Sequence, residues 1–171
     1  YPLGHIVTAH YWQRLSGEGL HLTVAESGWA KTAWGKIYGQ WICGVCLFVY
    51  DMDKFMPGRL LAKIEKYRVT SFCAPPTVYR FLIKEDLSRF DLSSIKHSDT
   101  AGEPLNPEVF NQWKAATGLD IIEGFGQTET TVLCANFEWI KPKPGSMGKP
   151  SPLYDIDILD EAGQSCPAGV E

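Results

Sequence analysis

The sequence predicts an α/β fold: a layered, largely parallel sheet flanked by helices, followed by a β-hairpin-like C-terminal tail. Two observations carry this prediction. Short apolar strand segments alternate along the chain with helical segments of about 10–15 residues, a pattern typical of parallel sheets. The chain has 171 residues, 44% of them hydrophobic, which is enough for one compact core.

The first part of the chain contains two predicted helices and two predicted strands. A helix is expected over residues 4–15, and a second from Trp29 to Gln40, where apolar residues recur at three- and four-residue spacings. Leu20 to Val24 alternates in the manner of a short strand. The longest apolar run, Trp41 to Tyr50, predicts a buried strand near residues 45–50 with its lead-in.

The second part repeats the alternation with clear helix signals. Proline is tolerated at the first helical position, asparagine caps a helix start, and glycine ends a helix. These signals predict helices from Pro57 to Tyr67, after the turn Ala74-Pro75-Pro76, and from the Asn106 cap to Gly118. Strands are predicted at Val69 to Cys73, Ser94 to Ala101 and Leu119 to Glu123.

The tail differs from this α/β core, which spans residues 1–141. Residues 142–152 are rich in proline and glycine and predict an irregular connector. Residues 153–171 begin a β-rich segment, with a strand from Tyr154 to Leu159 and a hairpin turn at Asp160 to Gly163. We expect residues 1–171 to form a single compact unit.

Charge and hydropathy exclude two classes of partner. Sixteen Lys and Arg against twenty Asp and Glu give a net charge of −4, which disfavours nonspecific binding to nucleic acid. No apolar run reaches the roughly 18 residues of a membrane-spanning helix.

The five cysteines predict a reducing compartment. Cys43 and Cys46 form a C-x-x-C pair, but they lie inside an apolar run with no adjacent cation, so buried and inert thiols are expected. The corresponding location is the cytoplasm or, in a eukaryote, the mitochondrial matrix.

Two segments at the carboxyl ends of predicted strands could carry chemistry, because ligands bind at that edge of an open α/β sheet. One is Asp99 to Pro104 and the other is Glu123 to Thr131. In the second, glycines allow a close backbone approach to phosphate, and Thr128 can donate to a phosphate oxygen. Glu129 is a hard oxygen ligand suited to magnesium. The alternative is that both segments are turns with exposed polar residues.

These segments resemble signatures of the AMP-forming acyl-adenylate ligase superfamily. Phe125-Gly126-Gln127-Thr128-Glu129 is similar to its [Y/F]-G-x-T-E motif, and Ala101-Gly102-Glu103-Pro104 is similar to its adenine-lining element. The medium-chain acyl-coenzyme A synthetase branch is indicated by further runs: Ser27 to Lys31, Ala74 to Arg80, Gly118 to Ile121 and Lys143 to Pro150.

The resemblance implies a role for each matching position. Ala101, Gly102, Glu103 and Pro104 would border adenine, and Glu123, Gly124, Phe125, Gly126 and Gln127 would wrap the nucleotide. Thr128 would contact the α-phosphate and Glu129 would hold Mg²⁺, which makes these two the expected catalytic residues. Gly28, Trp29 and Gly126 would shape the acyl pocket. The implied substrates are ATP, a fatty or aromatic carboxylate and coenzyme A, with AMP as a product.

The resemblance also implies parts that these 171 residues lack. The phosphate loop, the ribose-binding aspartate and the lysine-bearing C-terminal domain of the family have no counterpart here. The expectation is an incomplete part of a larger N-terminal domain, with negligible ligase activity alone and self-association through exposed sheet edges. The alternatives are a stand-alone nucleotide-binding module without catalysis and an α/β interaction domain.

Overall fold

A seven-stranded sheet organises the chain in the computed structural model, which describes residues 1–170. The strands are β1 (Leu20–Thr23), β2 (Cys46–Leu47), β3 (Ser71–Cys73), β4 (His97–Ala101), β5 (Ile121–Gly126), β6 (Val132–Ala135) and β7 (Lys149–Pro150). Their order is β2-β1-β3-β4-β5-β6-β7. Pairing is parallel from β2 to β5 and antiparallel from β5 to β7. The predicted α/β fold with a largely parallel sheet is confirmed.

Helical segments flank the sheet. The first comprises a 3-10 turn (Pro2–Gly4), α1 (His5–Val7) and a π-helical turn (Thr8–Trp12). The second comprises α2 (Ala30–Thr32), a π-helical turn (Ala33–Ile37) and α3 (Tyr38–Ile42). The others are α4 (Pro57–Tyr67), α5 (Pro76–Leu82), a 3-10 turn (Leu87–Arg89) and α6 (Pro107–Thr117). Within residues 1–170, no helix has both the length and the apolar character that a membrane crossing requires.

Local signals account for the bounds of α4 and α6, both as predicted. The Asn106 side chain accepts a hydrogen bond of 2.8 Å from the amide of Glu108, and Gly118 ends α6 at φ 75°. Pro57 opens α4, and Arg68 closes it in the left-handed region at φ 56°.

The main core lies between the sheet and helices α4, α5 and α6. Its largest members with essentially no exposure are Leu60, Ile64, Phe72, Tyr79 and Trp113. Burying each such side chain stabilises the fold by roughly 1.5–3 kcal/mol, or somewhat more for the largest rings. A second cluster around Trp12, Ile122 and Phe137 packs behind β5 and β6.

The predicted buried strand at residues 45–50 is wrong. Only Cys46 and Leu47 form a strand, which lies at the sheet edge with β1 as its neighbour, and Val49 is 75% exposed. An edge strand is covered by fewer elements, so an apolar run there does not become buried. The predicted burial of both C-x-x-C thiols is wrong as well: Cys43 is half-buried, which raises its pKa, and Cys46 is exposed.

The predicted tail strand is also not formed. Within residues 1–170, Tyr154 to Leu159 has no strand partner beyond one bridge between Leu159 and Ser165, and Ile158 is 71% exposed. The turn at Asp160 to Gly163 is present, with a 3.0 Å bond from the Gly163 amide to the Asp160 carbonyl. The predicted tail segment ends at Glu171, which lies outside the described residues.

The first two helical segments and strand β6 also differ from prediction. The N-terminal helical segment ends at Trp12 rather than residue 15, because Arg14 adopts φ 54° and breaks the helix. The second begins at Ala30, with Trp29 as its N-cap, and continues to Ile42. The antiparallel strand β6 was not predicted, because Val132 to Ala135 is short and has no flanking turn signal of its own.

Candidate functional site

A cleft of about 390 Å³ opens at the carboxyl ends of β4 and β5. Strand β4 contributes Ala101, and Gly102 follows it directly. Strand β5 with its following turn contributes Gly124 to Glu129. The first two helical segments supply the opposite wall with Trp12, Trp29, Lys31 and Trp34. The two sequence segments therefore meet in one cleft, because their strands are parallel neighbours in the sheet.

The segment after β4 places its backbone, rather than its carboxylate, at the cleft. Gly102 adopts φ 107°, a backbone conformation that residues other than glycine rarely adopt. Glu103 and Pro104 lie outside the lining. The Glu103 side chain turns toward α5, where it accepts hydrogen bonds from the amide and hydroxyl of Thr77 and pairs with Arg80 at 3.2 Å.

These contacts hold the Glu103 carboxylate in its ionised form. The hydroxyl of Thr77 lowers the pKa of Glu103 most, and the Thr77 amide and Arg80 lower it further. Glu103 thus anchors the segment after β4 to the start of α5, and its side chain is not directed into the cleft.

The Glu123 side chain likewise holds the segment after β4 and does not line the cleft. It is buried, and its carboxylate accepts a 3.1 Å hydrogen bond from the amide of Leu105, while its carbonyl accepts from Asn136. Burial raises its pKa. This contact joins β5 to the segment after β4, and it fixes the position of one relative to the other at the cleft.

Gly124, Phe125 and Gly126 belong to β5 and not to a loop, which corrects the sequence interpretation. The antiparallel partner β6 pairs with all three, with an irregularity between Phe125 and Gly126. A Cβ at Gly124 would lie 2.7 Å from the Trp12 ring, and one at Gly126 would meet the Thr131 carbonyl. The glycines are therefore required by packing against Trp12 and β6, in addition to any approach of a ligand.

The polar residues Gln127, Thr128 and Glu129 form an exposed turn at the cleft mouth. Thr130 holds this turn, since its hydroxyl accepts from the Gln127 amide at 3.1 Å. Within residues 1–170, neither the Thr128 hydroxyl nor the Glu129 carboxylate has a hydrogen-bond or ion-pair partner, so both remain available to a ligand.

The apolar wall of the cleft is built from three tryptophans. Trp12 and Trp34 lie 5.5 Å apart between ring centroids, and Trp12 donates to the carbonyl of Ile122 at 3.3 Å. Trp29 lines the cleft and is 56% exposed. Gly126 lies in the same cleft, whereas Gly28 is exposed outside it.

Sequence reasoning missed Trp12, Trp34 and Lys31. Trp34 lies at helical spacing within an ordinary amphipathic pattern, so no local signal separates it from a core residue. Lys31 is only 4% exposed and donates a 2.6 Å hydrogen bond to the carbonyl of Ala101. Burial lowers its pKa, and the nearby acidic groups of Cys73, Asp99 and Glu103 oppose that change.

The donor set at the cleft fits a magnesium ion held mainly by a ligand. Glu129 supplies one carboxylate, and residues 1–170 contain no group of three or more His, Cys, Asp or Glu arranged to hold a metal. Mg²⁺ is usually bound by one or two carboxylates together with substrate phosphates and water. A single exposed carboxylate at the mouth of the cleft matches that chemistry.

Comparisons with known proteins identify the family. The family model described as AMP-binding enzyme matches residues 8–171. The chain is 44% identical, over its full length, to mouse (Mus musculus) acyl-coenzyme A synthetase ACSM3, mitochondrial, and spans about 30% of that relative.

Two solved structures have the same fold. The anthranilate CoA ligase AuaEII in complex with anthranoyl-AMP superposes with a TM-score of 0.89 at 29% identity, covering 99% of this chain and 33% of that one. The acyl-CoA synthetase of Brucella canis gives a TM-score of 0.88 at 27% identity, covering 98% and 31%.

Proposed function

The chain belongs to the AMP-binding enzyme family, and from that premise we propose that its cleft is the adenylate- and acyl-binding site of an AMP-forming acyl-coenzyme A synthetase, an acid–thiol ligase. In this reaction a carboxylate oxygen attacks the α-phosphorus of ATP, and pyrophosphate leaves. The coenzyme A thiol then attacks the acyl carbon of the acyl-AMP, and AMP leaves. The names of the relatives, which are acyl-coenzyme A synthetases and a CoA ligase, support this assignment.

One observation carries the proposal: Gly102 after β4 and the Thr128–Glu129 turn after β5 face the same cleft. A nucleotide placed there would have backbone groups of one segment and polar side chains of the other on its two sides. An interaction domain would not need these two segments to converge on a cleft with polar side chains left unpaired.

We assign the nucleotide contacts residue by residue. Ala101 and Gly102 border adenine. Glu103, Pro104 and Glu123 lie outside the cleft lining, and the Glu103 and Glu123 side chains anchor the segment after β4. Gly124, Phe125, Gly126 and Gln127 wrap the nucleotide along β5. Phe125 stands where a tyrosine is commoner in the motif, so its contact is made by the ring face.

The chemistry requires positioning and charge neutralisation, because two anions must approach each other. The Thr128 hydroxyl would donate to an α-phosphate oxygen, and Glu129 would hold Mg²⁺. When bound, the ion supplies neutralisation of the triphosphate charge. No protein nucleophile is needed.

The acyl group occupies the tryptophan-lined part of the cleft. Trp12, Trp29 and Trp34 offer flat apolar surfaces suited to a medium-chain or aromatic carboxylate, and Gly126 leaves room near the reacting carboxylate. The anthranoyl-AMP bound to the ligase AuaEII is an aromatic example of such an adenylate. Gly28 acts only through the backbone that leads into Trp29.

The location and association of the protein follow from the same proposal. The word mitochondrial in the names of the mammalian relatives supports the mitochondrial matrix over the cytoplasm. Self-association through the exposed edge at β2 stays a prediction, as does the absence of a nucleic-acid partner.

Binding of a stable acyl-adenylate mimic tests the proposal. Octanoyl-sulfamoyl-adenosine carries the acyl group and the adenosine of the acyl-adenylate and does not react further. Calorimetry with the 171-residue chain therefore measures its binding affinity for the cleft. We expect saturable binding that T128A weakens at least ten-fold, on the scale of one hydrogen bond to a charged group. The exposed control S165A should leave the affinity unchanged. Absence of saturable binding to the folded wild-type chain would contradict the proposed function.

A further inference from the structure

Lys31 is a buried cation that lines the cleft and that the proposed chemistry does not use. It is 4% exposed, and its Nζ atom lies against three other residues of the cleft lining. Nζ donates a 2.6 Å hydrogen bond to the carbonyl of Ala101, lies 5.8 Å from the centroid of the Trp34 ring, and would be 3.9 Å from a Cβ added at Gly102. The charged end of the side chain, and not only its aliphatic stem, therefore borders the cleft.

The Lys31 ammonium lacks a counter-ion in the protein. An ammonium has three donor hydrogens, and the Ala101 carbonyl accepts one of them. Within residues 1–170, no ion pair includes Lys31. Burial lowers the pKa of Lys31, and the acidic groups of Cys73, Asp99 and Glu103 oppose that change only in part. A buried charge without a partner is unfavourable, so this ammonium is suited to an anion that enters from outside the protein.

The cleft offers an anion no other cation among the residues that the structure describes. The one other basic side chain of the described lining is His5. Burial lowers the pKa of His5 to about 4, so its ring is neutral at about pH 7. Glu129, the acidic side chain of the lining, lies in the exposed turn at the cleft mouth. An anion inside the cleft therefore has Lys31 as its cationic partner.

We propose that Lys31 binds the carboxylate of the substrate. Its ammonium lies against both the Ala101 carbonyl, in the part of the cleft assigned to adenine, and the Trp34 ring, in the part assigned to the acyl group. The carboxylate belongs at that junction, because it forms the bond between the acyl group and the nucleotide. Pairing with the ammonium neutralises one of the two anions that must approach each other. The identity of the anion rests on the proposed function.

A purely structural role of Lys31 has a different consequence. The hydrogen bond to the Ala101 carbonyl joins α2 to β4, and a neutral donor can also make such a bond. Loss of a structural contact weakens the binding of charged and uncharged ligands alike. Loss of a carboxylate-binding ammonium weakens the charged ligand alone. Octanoate and 1-octanol are a matched pair for this comparison, since they have the same chain length and only octanoate carries a charge.

Calorimetric titration of the 171-residue chain with octanoate and with 1-octanol at about pH 7, where a carboxylate is ionised, tests the proposal. We expect the wild-type chain to bind octanoate about ten-fold more tightly than octanol, on the scale of a hydrogen bond between charged groups. K31Q should weaken octanoate binding by about ten-fold and change octanol binding by less than about two-fold. K31R should keep the preference for octanoate. K36Q, which removes an ammonium of the same helical segment outside the cleft lining, should behave as wild type.

Two outcomes with K31Q would overturn the proposal: an unchanged affinity for octanoate, or equal weakening of octanoate and octanol. If K31Q does not fold, the wild-type chain still decides, because octanol bound as tightly as octanoate would overturn the proposal and the expected preference would support it. Octanoyl-sulfamoyl-adenosine separates this proposal from the proposed function. Binding of that mimic leaves the proposed function intact whatever the octanoate result, whereas absence of binding of both the mimic and octanoate would overturn both.

Discussion

Gly124 is the position where one added methyl group would disturb the cleft most directly. The Cβ of an alanine there would lie 2.7, 2.8 and 3.0 Å from three atoms of the Trp12 ring, closer than side-chain carbons pack. Trp12 is buried and hydrogen-bonded to the Ile122 carbonyl, so the ring cannot move without loss. Such overpacking costs typically about 1–3 kcal/mol.

We expect G124A to lower the free energy of unfolding by about 2 kcal/mol. For a domain of this size that corresponds to a fall of roughly 4–8 °C in Tm. Because the displaced ring forms a wall of the cleft, affinity for octanoyl-sulfamoyl-adenosine should also fall by about ten-fold, or roughly 1.4 kcal/mol. Urea denaturation and calorimetry measure the two effects on the same samples.

Gly28 provides the matched control. A Cβ at Gly28 has no atom within 4 Å and its φ is not positive, so G28A should change the unfolding free energy by less than about 0.5 kcal/mol. The double variant W12F/G124A should recover part of the lost stability, since a smaller ring relieves the contact. A G124A chain as stable as G28A, or no recovery in the double variant, would refute the packing argument.

Three further predictions concern magnesium, acid stability and helix capping. E129Q should abolish the Mg²⁺ dependence of ATP binding measured by calorimetry. The exposed control E161Q should retain that dependence. An unchanged Mg²⁺ dependence in E129Q would show that this carboxylate does not hold the ion. Burial lowers the pKa of His21 to about 4, so the ring is neutral in the fold but protonates in the unfolded chain near the ordinary histidine pKa of 6.5. The stability that His21 contributes should therefore be fully present above pH 6.5 and fall as the pH drops toward 4, and urea midpoints that stay level over this window would contradict the assignment. N106A removes the cap of α6 and should lower the free energy of unfolding, measured by urea denaturation, by about 1 kcal/mol. N106S should restore most of that free energy. Equal stability of N106A and N106S would show that the cap bond is not formed.

Two segments with the composition of strands do not form the strands that the sequence predicts. The apolar run from Trp41 to Tyr50 and the alternating run from Tyr154 to Leu159 both have the composition of strands. The first forms a two-residue edge strand, and the second forms only one isolated bridge within residues 1–170. Whether a strand forms depends on a neighbour to which it can bond, and that neighbour is distant in sequence.

Local sequence features were sufficient to predict the α/β class, the bounds of α4 and α6, and the two segments that meet at the cleft. These depend on local chemistry: periodicity, proline at a helix start, an asparagine cap, and polar residues directly after strands. Contacts across the sheet set the directions of the Glu103 and Glu123 side chains, the packing of Gly124 against Trp12, and the bond from Lys31 to the Ala101 carbonyl. Those contacts join residues 18 to 112 positions apart, and they are set by packing across the sheet, which no local pattern encodes.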